Sequence, residues 1–378
     1  MDLICFSHIR WDFVYQRPQH LLTRFAHYNR VFIIEESLLD GKSNYYDIVD
    51  QKENNISVIK LYLSRELQED QKDMVLRALI DSFMLAMNIR QYILWYYTPM
   101  ALKYSDHLRP KLIIYDCMDE LSAFKFAHPE LKKYEACLFS KADLVFTGGQ
   151  SLYEAKKHLH QNIYPFPSSI DKAHFVTARN KVMQPDDQKN IPYPRIGFYG
   201  VIDERLHIRL IEEMAGLRPE WQFVLIGPVI KIDPATLPQR NNIHYLGGKE
   251  YKDLPVYLSG WDIAMLPFEI NESTKYISPT KTPEYLAGGK PVISTPVTDV
   301  VNPYGQKGLV HIADDAPDFI NAAEKIFADV NKKSWLKEVD EFLANMSWNN
   351  TWHQMSELID KALENKAIVE VTKIKAYV

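Results

Sequence analysis

Short apolar runs alternate with amphipathic stretches along most of the chain. Residues 2–6 (DLICF), 31–34 (VFII), 57–63 (SVIKLYL), 92–97 (YILWYY), 112–116 (LIIYD) and 143–148 (DLVFTG) predict buried strands. They are short and rich in β-branched and aromatic side chains. Helical spacing predicts a helix from Pro18, with Leu21, Leu22, Phe25 and Ala26 on one face, a long helix over 71–90, and further helices near 99–108, 129–140 and 150–160. Between 165 and 195 the rhythm breaks. Pro165, Pro167, Pro185, Pro192 and Pro194 accompany the polar run NKVMQPDDQKN, which predicts a connection between domains. The rhythm restarts with strands at 195–200, 222–227, 242–247, 262–267, 291–295 and 309–313, and the chain is mostly helical after 313. Strands separated by helices imply βαβ crossovers and a mostly parallel sheet. The expected fold class is therefore α/β, with one domain over 1–175, a second over 190–345 and a helical segment over 346–378.

Composition fits this picture. The chain has 378 residues, 46% hydrophobic and 25% charged, which is ordinary for globular proteins and long enough for two domains. A net charge of −5 gives no basic footprint for nucleic acid. Cys5, Cys117 and Cys137 show no metal-ligand spacing and no disulfide framework, which fits a reducing, cytoplasmic setting. The N-terminus lacks the basic and apolar regions of a signal peptide. Arg77 and Asp81 interrupt the apolar stretch 74–89, so it reads as a buried or interfacial helix.

In doubly wound sheets, ligands bind beyond the carboxyl ends of the strands. Neither GxGxxG nor GxxxxGK[ST] occurs, nor does GxSxG or HExxH. The segment 262–295, DIAMLPFEINESTKYISPTKTPEYLAGGKPVIST, holds a strand ending at Leu266-Pro267, a polar loop, and a helix from near Ser278-Pro279 to Gly288-Gly289. Ordinary capping accounts for that pattern by itself. The same helix start can also hold a diphosphate. The amides of Thr280 and Lys281 lie in its first turn, and Lys281 adds a positive charge.

Four segments in order carry a resemblance: WDFVYQRPQHLLTRFA, IIYDCMDELSAF, RIGFYGVIDERL and PTKTPEYLAGGKPVIST. They are similar to GT-B glycosyltransferases, the nucleotide-sugar-dependent retaining group, and within it to the teichuronic-acid and capsular-polysaccharide type. The resemblance implies two Rossmann-like domains facing a cleft, with the C-terminal helix packing back on the first. It implies transfer of a hexosyl group from a nucleotide diphosphate sugar to a hydroxyl acceptor. No cofactor is expected, and no metal, consistent with the lack of an Asp-x-Asp motif. The acceptor would be a saccharide or lipid-linked, and the N-terminal domain would touch the inner membrane leaflet peripherally through 71–90; a core helix is the other reading of that segment.

Residue by residue, the resemblance places the donor at Gly200, Arg205, Asn271, Thr280, Lys281 and Glu284. Glu284 would accept hydrogen bonds from the ribose hydroxyls. Lys281 and Arg205 would meet the charge that grows on the diphosphate, with Asp203 capping a helix that carries Arg205. Trp11, Asp12, Gln16 and Arg17 would bind the acceptor. Asp119 would act as a base or orient the acceptor, and Asp116 would cap a turn. The family often has a second Glu eight residues before the first, where this chain has Tyr276; Glu272 or Asn271 would take the sugar-side role. Three other functions fit parts of the pattern: a GT-B sugar-nucleotide epimerase, a non-catalytic nucleotide-sugar binder in an assembly, and, most weakly, a nicotinamide oxidoreductase.

Overall fold

The computed structural model describes residues 1–39, 41–51, 55–180, 183–329 and 332–376, with side chains to 368. The first sheet is built from Asp2–Ser7 (β1), Val31–Glu35 (β2), Leu38–Leu39 (β3), Tyr45–Gln51 (β4), Ile56–Leu63 (β5), Tyr92–Tyr96 (β6), Leu112–Cys117 (β7), Leu144–Thr147 (β8) and Ile163–Pro165 (β9). Its order is β3-β5-β2-β1-β6-β7-β8-β9. All pairs are parallel except β4, which runs antiparallel on β5. The strand order reverses beside β1, which opens a crevice between the loops after β1 and β6. Ile4 and Phe6 face one apolar cluster, while Leu3 and Cys5 face another. Both faces of the strand are thus covered, as a parallel sheet requires.

The second sheet holds Arg195–Tyr199 (β10), Gln222–Ile226 (β11), Ile243–Tyr245 (β12), Ile263–Leu266 (β13), Val292–Ser294 (β14) and His311–Ile312 (β15). Its order, β12-β11-β10-β13-β14-β15, is that of a doubly wound dinucleotide-type fold, with the switch point between β10 and β13. The carboxyl ends of both sheets open onto one cleft. The terminal helix Trp348–Ala376 returns to the first sheet, where Trp348, Met355 and Ile359 join the cluster containing Leu21, Leu22 and Phe25.

Several elements differ from expectation. β3, β4 and β9 were not anticipated. β4 is an edge strand whose Tyr45, Ile48 and Val49 stay exposed, so it lacks a buried alternation. The segment 165–195 is not a plain linker: helix Lys172–Val176 sends Phe175 into the core of the second sheet. Near 99–108 the chain forms only a short turn and the four-residue helix Leu102–Ser105. The long helix is Glu69–Ala86; Leu76, Ile80 and Phe83 are buried in the first core, and Met74 and Leu85 are exposed. Among the described residues no helix is long and apolar enough to cross a membrane.

Beneath the crevice, Arg17 at the start of helix Arg17–Phe25 holds Asp116 at the end of β7. Its Nε lies 3.1 Å from both Asp116 carboxylate oxygens, its Nη2 lies 2.9 Å from Oδ1, and its Nη1 donates to Phe166 O at 2.7 Å. Burial opposes the guanidinium charge, yet the facing carboxylate still holds its pKa above the usual value. Asp116 therefore pins a helix to the sheet and does not cap a turn. Asp116→Ala would leave a buried cation unpaired and should cost about 3–5 kcal/mol, read as a lower urea midpoint with an unchanged slope.

Candidate functional site

A cavity of about 920 Å³ lies between the two sheets. On the second domain's side its centre is the helix Lys281–Ala287, with Thr280 at the N-cap. The backbone N–H groups of Thr280 and Lys281 have no backbone acceptor among the described residues. Gly200, just after β10, has φ +142, and a Cβ there would collide with the Lys281 side chain. Glycine at 200 thus makes the channel through which Lys281 reaches the cavity. The Lys281 ammonium lies 5.7 Å from the Phe198 ring centroid. Burial lowers its pKa, with Glu284 acting to raise it and Arg205 to lower it further.

One turn along the helix, Glu284 is 4% exposed and accepts a 2.7 Å hydrogen bond from the Tyr199 hydroxyl. The Tyr285 hydroxyl accepts from Tyr199 N–H at 2.9 Å, which locks the helix against β10. Burial pushes the Glu284 carboxyl up to about 7, opposed by the Tyr199 hydrogen bond and the Lys281 charge.

Arg205 lines the cavity, but it does not stand on a helix. The helix begins at Ile208, and its cap is His207, whose Nδ1 accepts from Leu210 N–H. Asp203 instead grips Arg205: Nε lies 3.0 and 3.1 Å from its two carboxylate oxygens, and Nη2 lies 2.7 Å from Oδ2. The guanidinium also lies 5.4 Å from the ring of Phe124, which belongs to the first domain. Arg205 reaches the cavity with its charge largely compensated. Asp119 enters from the first domain, in the loop after β7. Burial pushes its carboxyl up to about 6, with Arg205, Arg17 and Lys281 pulling down and Asp203 pushing up. The first and third of those cations sit on the opposite domain.

Trp11, Asp12, Gln16 and Arg17 also line the cavity. Trp11 N–H donates to Glu35 Oε1 at 2.7 Å and Trp11 O accepts from Gln19 Nε2 at 2.8 Å, which fixes the loop. Asp12 is exposed, 3.8 Å from Lys60. The Gln16 amide donates to Gln19 Oε1 and opens the helix. Arg17 forms a wall of the cavity with its guanidinium committed to Asp116 and Phe166. Asn271 does not line the cavity: it is exposed, and its Oδ1 accepts from the backbone N–H and hydroxyl of Ser273 in a local turn. Glu272 is exposed and faces Lys275. Tyr276 packs against the core of the first domain, so that position joins the domains.

The sequence reading missed Tyr15, Tyr199 and Tyr251. Tyr199 ends β10 immediately before the singled-out Gly200, and its place at a switch-point strand end was the available signal. Tyr251 follows Gly247-Gly248 after β12. Among the described residues no group of three or more His, Cys, Asp or Glu side chains is arranged to hold a metal.

Residues 193–329 match the family described as glycosyl transferases group 1. They contain Gly200, Arg205, Lys281 and Glu284. The second domain is a group 1 glycosyltransferase domain. A Bacillus subtilis (strain 168) protein named for a teichuronic acid biosynthesis glycosyltransferase, TuaH, is 25% identical over 283 residues, covering 69% of this chain and 70% of its own. Among solved structures, sucrose-phosphate synthase from Thermosynechococcus elongatus superposes with a TM-score of 0.70 at 15% identity, covering 97% of this chain and 100% of that one. Anabaena HepE in complex with UDP and glucose superposes with a TM-score of 0.68 at 14% identity, over 95% of this chain and 99% of that one. The fold is GT-B, and the chain is a glycosyltransferase. The group 1 domain thus supplies the cavity wall bearing Lys281 and Glu284, and the first domain supplies the wall bearing Asp119.

Proposed function

We propose that the protein transfers a hexosyl group from a nucleotide diphosphate sugar to a hydroxyl acceptor in cell-surface polysaccharide synthesis. The observation that carries this is Lys281 and Glu284, one turn apart on the group 1 domain, facing Asp119 across the cavity. HepE, whose structure holds UDP and glucose, and TuaH, named for teichuronic acid biosynthesis, support the donor class and the setting. The Lys281 ammonium and the amides of Thr280 and Lys281 receive the diphosphate. Glu284 accepts from the ribose hydroxyls, because an ionised carboxylate can accept from both at once.

As the bond from the sugar C1 to the diphosphate oxygen breaks, negative charge grows on that oxygen, and Lys281 stabilises it. The acceptor oxygen forms the new bond to C1. With retention, as the family resemblance implies, the acceptor proton passes to the departing oxygen while Asp119 orients the hydroxyl. Because cationic side chains meet the diphosphate, turnover is expected to survive EDTA, measured as nucleoside diphosphate release. Complete loss restored by magnesium would contradict that mechanism.

The proposal is tested with a panel of nucleotide sugars and saccharide or lipid-linked acceptors, reading glycoside formation. Binding without turnover for every pair would leave a binder in place of an enzyme. Donor affinity should also fall as pH drops below about 7, because protonation turns one Glu284 oxygen from an acceptor into a donor and removes the charge that strengthens the other. Glu284→Gln should bind weakly at every pH and lose that dependence, read by calorimetric titration.

A further inference from the structure

Tyr251 occupies an unusual position in the cavity wall. One face of its ring is covered by His174, with centroids 4.7 Å apart and planes 21° apart. That neighbour is fixed, since His174 Nε2 is 3.0 Å from Tyr251 O and the adjacent Phe175 lies in the second core. The other face is covered by Tyr15 of the first domain, at 4.6 Å and 26°. Tyr15 is 42% exposed and sits in a loop without regular secondary structure. The Tyr251 hydroxyl is buried and has no hydrogen-bond partner among the described residues. Four positions earlier in the chain, Gly247 has φ +68 with nothing close to where a Cβ would lie, and Gly248 lines the cavity.

Tyr251 stands close to where a nucleoside would lie. Glu284 is bonded to Tyr199, Tyr199 stacks on Phe175 at 6.3 Å, and Phe175 meets Tyr251 at 5.7 Å. The charge of Glu284 is among the causes that raise the Tyr251 hydroxyl pKa, after burial. A base is joined to the ribose carbon next to a ribose hydroxyl, so a ribose held at Glu284 brings its base toward this aromatic wall, where the face of Tyr251 turned to the first domain is covered only by the exposed Tyr15.

We propose that the donor's nucleobase stacks on the face of Tyr251 that Tyr15 now covers, so that base and Tyr15 compete for one aromatic surface. This rests on the reading of Glu284 as the ribose-binding carboxylate. Tyr15 lies in the same loop as Trp11, Asp12 and Gln16, so its displacement is felt on the acceptor side of the cleft. Donor entry thereby resets the acceptor side of the cleft, which favours ordered binding with the donor first.

The test is calorimetric titration of the full chain and its variants with UDP and with ribose 5-diphosphate, the same molecule without its base. Tyr15→Ala should tighten UDP by roughly 2- to 10-fold, the worth of one aromatic pair, and leave ribose 5-diphosphate unchanged. Tyr15→Phe keeps the competing ring and should match the wild type for UDP. Tyr251→Ala should weaken UDP by about tenfold, within the range for base–aromatic stacking. Unchanged or weaker UDP binding in Tyr15→Ala overturns the proposal. So does equal tightening of both probes, which would mean that Tyr15 acts on cleft opening, and so does an absence of UDP binding in wild type and Tyr15→Ala alike. Wild-type UDP affinity in Glu284→Ala would instead defeat the ribose reading, an outcome separate from the effect at Tyr15.

Discussion

Lys281→Ala should lower kcat by about 10²–10³ at saturating donor, with a smaller change in donor KM. An interaction that strengthens as the bond breaks stabilises the transition state more than the bound donor. Lys281 fits that role: it is partly buried, is aimed through the gap that Gly200 leaves, and lies on the same helix as Glu284. Arg205→Ala should cost less, under about tenfold, because Asp203 already holds two nitrogens of that guanidinium. The double variant should fall short of the product of the single effects, since both cations would act on one set of oxygens. Steady-state kinetics on the four-member cycle measures this. An Arg205→Ala loss as large as that of Lys281→Ala would show that Asp203 does not compensate the charge.

Asp119→Ala should lower kcat by about 10² or more while leaving nucleotide affinity within about twofold, as expected for a group acting on the acceptor proton or hydroxyl. Burial leaves its carboxyl at about 6. Only the ionised form accepts a hydrogen bond from the acceptor through both oxygens, so the wild-type rate should fall as pH drops through about 6 and level off above it. Asp119→Asn should lack that limb. A pH profile unchanged in Asp119→Asn would remove Asp119 from the acceptor side.

Much of the fold was legible because parallel strands buried on both faces leave continuous apolar runs. DLICF, VFII and QFVLI are such runs, and each is a strand in the structure. β4 was not legible, since an exposed edge strand carries no buried alternation. The start of the helix after β10 was misplaced for a different reason. Asp203 looks like a cap in sequence, but its carboxylate is taken by Arg205, and the cap falls to His207. In the site, Glu284 and Lys281 were readable from their place in a short motif. Arg17 was readable as a charged residue near the cleft, but its partner Asp116 is 99 positions away. Tyr15 and Tyr251 come together only when the two domains face each other, and no local pattern in either segment encodes that meeting.

A labelled sugar shows whether transfer takes place across this cleft. The protein is incubated with a sugar-labelled nucleotide donor from the active donor–acceptor pair, and both products are counted. One labelled glycoside should form on the acceptor for each nucleoside diphosphate released, with release negligible without acceptor and both products lost together in Lys281→Ala. Nucleoside diphosphate released with free labelled sugar, at a rate indifferent to acceptor, would contradict transfer.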